Sequence, residues 1–212
     1  PAMAATLDIE QLRKILADMS QAIVDAKDEL SEADRETGDG DHGSGMARGF
    51  SAARDAVLAA DLKTAGDAFR AVGMAVLSTS GGASGAVFGT MFRAPLKALT
   101  GDVLDGEGYA TALEVAAQQV EARGKAARGD KTMLDALIPA AEAARAVAGE
   151  DLSVVARAAA DAAEEGSVAT KSMIATIGKA KSLGERSLGY RDPGSISVAI
   201  MLKSIADGVD AA

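Results

Sequence analysis

Residues 71–92 read A-V-G-M-A-V-L-S-T-S-G-G-A-S-G-A-V-F-G-T-M-F, an uncharged stretch long enough to span a bilayer. Its middle, Ser78 to Gly85, is too polar and too flexible for a lone membrane helix, whose backbone would need every partner within itself. The stretch reads instead as two buried helices joined by a glycine-rich loop. Working outward, the same alternation of apolar-periodic helix and polar, glycine-rich break recurs along the chain.

On the N-terminal side, Asp8 can cap a helix carrying Leu12, Ile15, Leu16, Met19 and Ile23, a pattern that fades near Ser31. After the glycines of TGDGDHGSG a second helix is expected from about Gly45 to Ala60, and a third from near Lys63 with Phe69, Val72, Val76 and Leu77. Beyond the loop, a fourth carries Val87, Phe88, Met91, Phe92 and Leu96. A fifth, with Leu113, Val115 and Val120, ends at the polar run ARGKAARGDK. The sixth begins near Thr132, with Pro139 expected to kink its first turns, and the seventh runs from about Leu152 with no stop before Gly178. Pro193 opens the last helix.

About eight helices and no convincing strand define an all-α, up-and-down barrel or bundle in one domain, 1–212. Abundant alanine and only 3% aromatic residues suit close helix packing. The polar loops follow the first, third, fifth and seventh helices. In an up-and-down array those connections share one end, so four motif loops are expected to converge on one site.

The net charge of −9 argues against sequence-independent binding of nucleic acid, although a metal can still invert the charge of a local site. The absence of cysteine excludes disulfides and thiolate metal sites. The start, PAMAATLDIE, lacks the basic and apolar regions of a signal peptide; Met3 is read as the natural start, and a cytoplasmic protein without a membrane segment is expected.

The strongest chemical signal is DRETGDGDHG, Asp34 to Gly43. Asp34, Asp39 and Asp41 stand on a glycine-rich turn before a helix, where two carboxylates about 5 Å apart repel by roughly 3 kcal/mol at an effective dielectric near 20. A hard divalent cation relieves that repulsion; the plainer alternative is a solvated acidic turn. An EF-hand fails, because the twelfth position from Asp34, Asp39 or Asp41 is Gly45, Phe50 or Ala52. His42, the single histidine, follows two candidate ligands at a helix start. The loop from Ser78 to Gly85 offers hydroxyls, close backbone approach and a helix N-terminus, features that suit phosphate as well as tight helix packing. GKAARGDKT, 124–132, imitates a P-loop, but Asp130 intrudes between Gly129 and Lys131-Thr132 and no strand precedes it.

Taken in order, LSEADRETGDGDHGSGMARGF, LSTSGGASGAVFGTMF, RGKAARGDKTMLDALIPA and SLGERSLGYRDPGSISV resemble the L-subunit family of bacterial dihydroxyacetone kinases. The resemblance implies an eight-helix barrel binding ADP or ATP at one end, with Asp34, Asp39 and Asp41 holding two magnesium ions. It implies phosphate contacts from His42, Gly43, Ser44 and Gly45, and from Thr79, Ser80, Gly81 and Gly82. Gly124 and Met133 are implied on the adenine side, with Arg186, Asp192, Pro193 and Gly194 completing the pocket. One departure is Gly45, where the family commonly has Asn. The implied activity is transfer of the γ-phosphoryl to dihydroxyacetone on a separate K subunit, ADP being recharged by a phosphohistidine-carrying M subunit. The alternatives are an ATP-dependent dihydroxyacetone or erythrulose kinase, and a non-catalytic ADP-binding adaptor or regulator.

Overall fold

The computed structural model describes residues 3–212, so Pro1 and Ala2, read as preceding the natural start, lie outside the described residues. Nine α-helices occur among the described residues: α1 (Ile9–Asp25), α2 (Lys27–Thr37), α3 (His42–Ala59), α4 (Ala65–Thr79), α5 (Gly82–Arg93), α6 (Gly106–Gly124), α7 (Leu134–Ala146), α8 (Leu152–Ala169) and α9 (Pro193–Asp210). Eight of them form a ring in which α1, α3, α4, α5, α6, α7, α8 and α9 each pack on the next, and α9 closes on α1. The stretch 71–92 holds the end of α4, a two-residue turn and most of α5, and among the described residues no helix is long and apolar enough to cross a membrane.

The helix starts follow from local chemistry. Asp8 caps α1 in a capping box with Gln11, Thr64 caps α4 in another with Asp67, and Asp105 and Asp192 cap α6 and α9 through backbone N–H groups three residues on. The ring interior is apolar. Phe50 meets Phe92 edge-on with centroids 5.8 Å apart, and Phe69 stacks on Phe92 at 6.4 Å. Alanines such as Ala53, Ala68, Ala140, Ala156 and Ala163 fill the helix contacts.

The structure departs from the sequence reading in four places. The first predicted helix turns at Ala26 into a separate α2, without Gly or Pro to mark the break. Turning there lays α2 across the start of α3, where a Cβ on Gly43 would stand 2.0 Å from the Lys27 carbonyl oxygen. The second predicted helix begins three residues earlier, at His42. The seventh ends at Ala169 rather than near Gly178, followed by a 3-10 turn over Thr170–Ser172. Finally, Thr6–Asp8 and Val103–Asp105 pair as short antiparallel strands, β1 and β2, with Thr6 opposite Asp105. Three residues each are too short to show alternation, yet Leu7 and Leu104 both point into the core.

Pro139 does not break α7. It cannot donate to the Asp135 carbonyl, and α8 approaches that oxygen so closely that a Cβ on Gly166 would stand 2.1 Å from it.

Candidate nucleotide and metal site

The connections α2–α3, α4–α5, α6–α7 and α8–α9 lie at one end of the ring, around a cavity of about 350 Å³. This is the convergence expected from the loop order. It brings the N-termini of α3, α5, α7 and α9 to the same end, each contributing partial positive charge and free N–H groups. The cavity has an apolar wall, including Val87, Phe88, Val120 and Met133, and a polar side formed by Asp34, Thr37, Asp41 and His42.

The three aspartates come together, with one carboxylate oxygen from each of Asp34, Asp39 and Asp41 within 4.8 Å of the others. Each is held differently. Asp34 is buried on the last turn of α2, and its Oδ2 accepts the His42 backbone N–H at 3.1 Å. Asp41 occupies the N-cap of α3, yet its side chain makes no capping bond. Gly40, at φ +78, supplies the reversal between Asp39 and Asp41. The Lys179 ammonium lies 2.6 Å from Asp39 Oδ2 and 3.1 Å from Asp41 Oδ1. That hydrogen bond holds the exposed Asp39 carboxyl below its ordinary range, and Asp39 in turn raises Lys179. Thr37 Oγ1, buried beside the cluster, has no hydrogen-bond partner among the described residues. Hard oxygen donors, a cluster of three carboxylates only partly offset by one ammonium, and an unpartnered hydroxyl fit a magnesium-bearing phosphate ligand.

His42 is buried at the first position of α3. Its Nδ1 lies 3.2 Å from Ser84 Oγ and its Nε2 2.8 Å from Ser197 Oγ, so two hydroxyls orient the ring. Burial lowers its pKa, opposed by the charges of Asp34 and Asp41, which favours the neutral ring. Gly43 is buried beneath α2 rather than on the cavity wall, and Ser44 donates to the Asp41 carbonyl at 3.0 Å. Gly45 faces Ser80, whose hydroxyl donates to the Gly45 carbonyl at 2.9 Å.

Thr79, Ser80, Gly81 and Gly82 form the α4–α5 turn, tied to α3 by Arg48, which donates to the carbonyls of Thr79 at 2.9 Å and Ser80 at 2.8 Å. The cavity wall itself is reached by the next two residues, Ala83 and Ser84. Gly124, Met133, Asp192, Pro193 and Gly194 all line the cavity. Arg186 does not; it is exposed on the 3-10 segment Lys179–Ser187. Burial pushes the Asp192 carboxyl up to about 7, against the Ser195 N–H it accepts; Asp135 and Asp34 raise it further and Lys131 lowers it.

Sequence reasoning missed Ser84, Ser197, Lys179 and Lys131 as site-building residues. Ser84 lay in a quoted loop. Ser197 and Lys179 carry no local signal, because their partners stand 155 and 138–140 residues away. The lysine of the P-loop imitation is turned inward onto backbone carbonyls, in keeping with the rejection of that motif.

Comparison with known proteins identifies relatives of this architecture. The DAK2 domain model matches residues 36–207. The chain is 36% identical over 200 residues to the PEP-dependent dihydroxyacetone kinase 1 ADP-binding subunit DhaL of Listeria innocua, covering 94% of this chain and 96% of that protein. It is 41% identical over 180 residues to the corresponding Escherichia coli subunit, covering 84% and 86%. It is also 40% identical over 197 residues to the D-erythrulose kinase of Mycolicibacterium smegmatis, covering 90% of this chain but only 34% of that enzyme. The dihydroxyacetone kinase of C. freundii, solved with AMP-PNP and Mg2+, shares the fold with a TM-score of 0.67 at 24% identity; 92% of this chain spans 33% of that one.

Proposed function

This chain belongs to the DAK2 domain family, and on that premise we propose that it is the nucleotide-binding, phosphoryl-carrying subunit of a dihydroxyacetone-type kinase. The observation that carries the reading is the meeting of the Asp34–Asp39–Asp41 cluster with four helix N-termini around one cavity whose far wall is apolar. Such a cavity sorts a nucleotide by polarity, base against the apolar wall and phosphates toward the cluster.

In this reading Asp34, Asp39 and Asp41 hold two magnesium ions, which offset phosphate charge during transfer. The residues of this chain bind and orient. Gly124 and Met133 bound the adenine, the latter as part of an apolar wall. The N-termini of α3 and α5, with His42 and Ser84, present donors to the phosphates, while Arg186, exposed on the 3-10 segment outside the cavity lining, is assigned to the phosphates by the family resemblance alone. Transfer breaks the bond from the γ-phosphorus to the ADP oxygen and forms one to a hydroxyl of dihydroxyacetone on a separate K subunit, which also takes the hydroxyl proton. A phosphohistidine-carrying M subunit restores ATP. In this reading the subunit works in the cytoplasm with its partner subunits.

The 40% identity to an erythrulose kinase favours a second reading, an ATP-dependent ketose kinase whose nucleotide exchanges freely. Gentle purification with magnesium followed by native mass spectrometry separates the two. ADP that co-purifies and resists exchange with ATP is the expected result; an empty site that exchanges ATP readily supports the second reading, and no nucleotide binding under any condition overturns both.

Gly45 supplies a sharper test. A Cβ there would lie 3.7 Å from the Ser80 carbonyl oxygen, an ordinary contact, so the first atom of an Asn side chain at this position fits without moving α3 or the α4–α5 turn. One added hydrogen bond to a charged phosphate is expected to slow ADP release by about tenfold. Stopped-flow release of a fluorescent ADP measures it, and an unchanged rate means that position 45 does not reach the phosphates.

A further inference from the structure

Lys131 is buried, and among the described residues its ammonium meets no carboxylate. Its Nζ lies 2.8 Å from the carbonyl oxygen of Thr170, 3.2 Å from Met173, 2.6 Å from Ser187 and 2.7 Å from Tyr190. An ammonium has three protons, so four acceptors share them, and a buried charge whose hydrogen bonds all go to backbone carbonyls persists only where its surroundings over-determine it. The backbone of Lys131 is itself in the left-handed region, at φ +62, which a side chain rarely adopts.

The four carbonyls are not scattered. Thr170 and Met173 precede the segment 174–186, and Ser187 and Tyr190 follow it. The ammonium therefore closes the base of a loop. Around it the Gly189 N–H donates to the Lys171 carbonyl at 2.8 Å, the Ala175 N–H to Ser187 Oγ at 3.1 Å, and the Thr176 hydroxyl to Asp130 Oδ1 at 2.5 Å. Hydrophobic burial contributes little here, since Ile174, Leu188 and Tyr190 are all about 40% exposed. The loop is held by polar ties, and its far part reaches the site: Ile177 to Ala180 line the cavity and Lys179 bridges Asp39 and Asp41.

We propose that Lys131 is a positioning residue for nucleotide binding, holding the loop 174–186 against the cavity by gathering the four carbonyls at its base onto one ammonium. The inference rests on the nucleotide-site reading above and deepens it. Lys131 itself borders the cavity, but its ammonium is committed to the four carbonyls, and in this scheme it acts through the loop rather than by contact with the nucleotide.

The test uses the full chain and hydrogen–deuterium exchange alongside calorimetric titration of MgADP. Lys131→Met keeps the aliphatic stem and the same backbone demand while removing every donor. Exchange in 173–190 is expected to accelerate by about tenfold or more, and MgADP affinity to fall about tenfold, while exchange in α1, α4 and α8 stays as in the parent. Lys131→Gly, unstrained at this φ, serves as the second variant. Adding n-butylammonium is expected to restore protection of 173–190, whereas tetramethylammonium, which has no N–H, is expected to restore nothing. Parent-like exchange and affinity in Lys131→Met overturn the proposal, as does equal rescue by the two amines. Global unfolding of both variants that n-butylammonium does not reverse also overturns it, because the whole fold would then depend on the residue. If the parent chain itself failed to bind MgADP, the functional reading would fall while the exchange data still judged the loop.

Discussion

Asp41→Asn is expected to weaken MgADP binding by about 100-fold or more while leaving the fold at parental stability. Removing even an outer-shell partner of a metal ligand costs roughly 10–100-fold in affinity, and Asp41 is proposed as a direct ligand. The fold has little at stake. Asp41 is exposed, its side chain caps nothing although it stands at the N-cap of α3, and its one ion pair, to Lys179, is a surface pair. The substitution also removes one of three like charges whose oxygens lie within 4.8 Å of one another. Without metal, the variant is therefore expected to melt within about 0.5 kcal/mol of the parent. With MgADP, the parent gains stability by mass action and the variant does not. Thermal melts with and without MgADP read both effects together. Equal ligand-induced stabilisation of parent and variant would remove Asp41 from the metal site.

Gly43→Ala is expected to act in the opposite way, damaging the fold first and the site as a consequence. A Cβ at Gly43 would stand 2.0 Å from the Lys27 carbonyl oxygen, 2.2 Å from Ser31 Oγ and 2.7 Å from the Ser31 backbone nitrogen. Two of those atoms are backbone, so relief requires α2 to lift from α3 rather than a side chain to rotate. Overpacking of this kind costs about 3 kcal/mol. Asp34 and Thr37 ride on the last turns of α2, so the same displacement draws them away from Asp39 and Asp41, and MgADP binding falls with stability. Gly45→Ala, two residues on, is the control: its Cβ has no neighbour nearer than 3.7 Å, and it is expected to keep the parental stability within about 0.5 kcal/mol. Urea unfolding distinguishes them. A parental midpoint for Gly43→Ala would mean that the α2–α3 contact is not tight enough to matter.

Much of the site was legible because contiguous stretches carry it. TGDGDHG places Asp39, Asp41 and His42 on one turn before a helix, and the glycine-rich break inside 71–92 declares two helices rather than a span. The recurrence of polar loops at alternate connections was enough to predict one shared end. What was not legible falls into two kinds. The turn at Ala26 and the strand pair Thr6–Asp8 with Val103–Asp105 lack any local marker, because a helix built on Leu30 alone and strands of three residues are supported by what they pack against. The role of Gly43 was hidden for the same reason. A glycine in a phosphate-like motif and a glycine beneath a crossing helix look alike until the helix is in place.

The fold class, the order of the helices and the end at which the polar loops gather can all be read from the amino-acid sequence. Those properties rest on periodicity, capping residues and glycine breaks, which act over a few residues. Long-range packing alone turns Lys131 inward onto four carbonyls, brings Lys179 to Asp39 across 140 residues of chain, and sets Ser84 and Ser197 against His42 from two different helices. Each of these is a contact between segments remote in sequence. A hydrogen bond or an ion pair forms only within about 3–4 Å, and no local pattern specifies which distant groups the closing of a ring of helices brings within that reach.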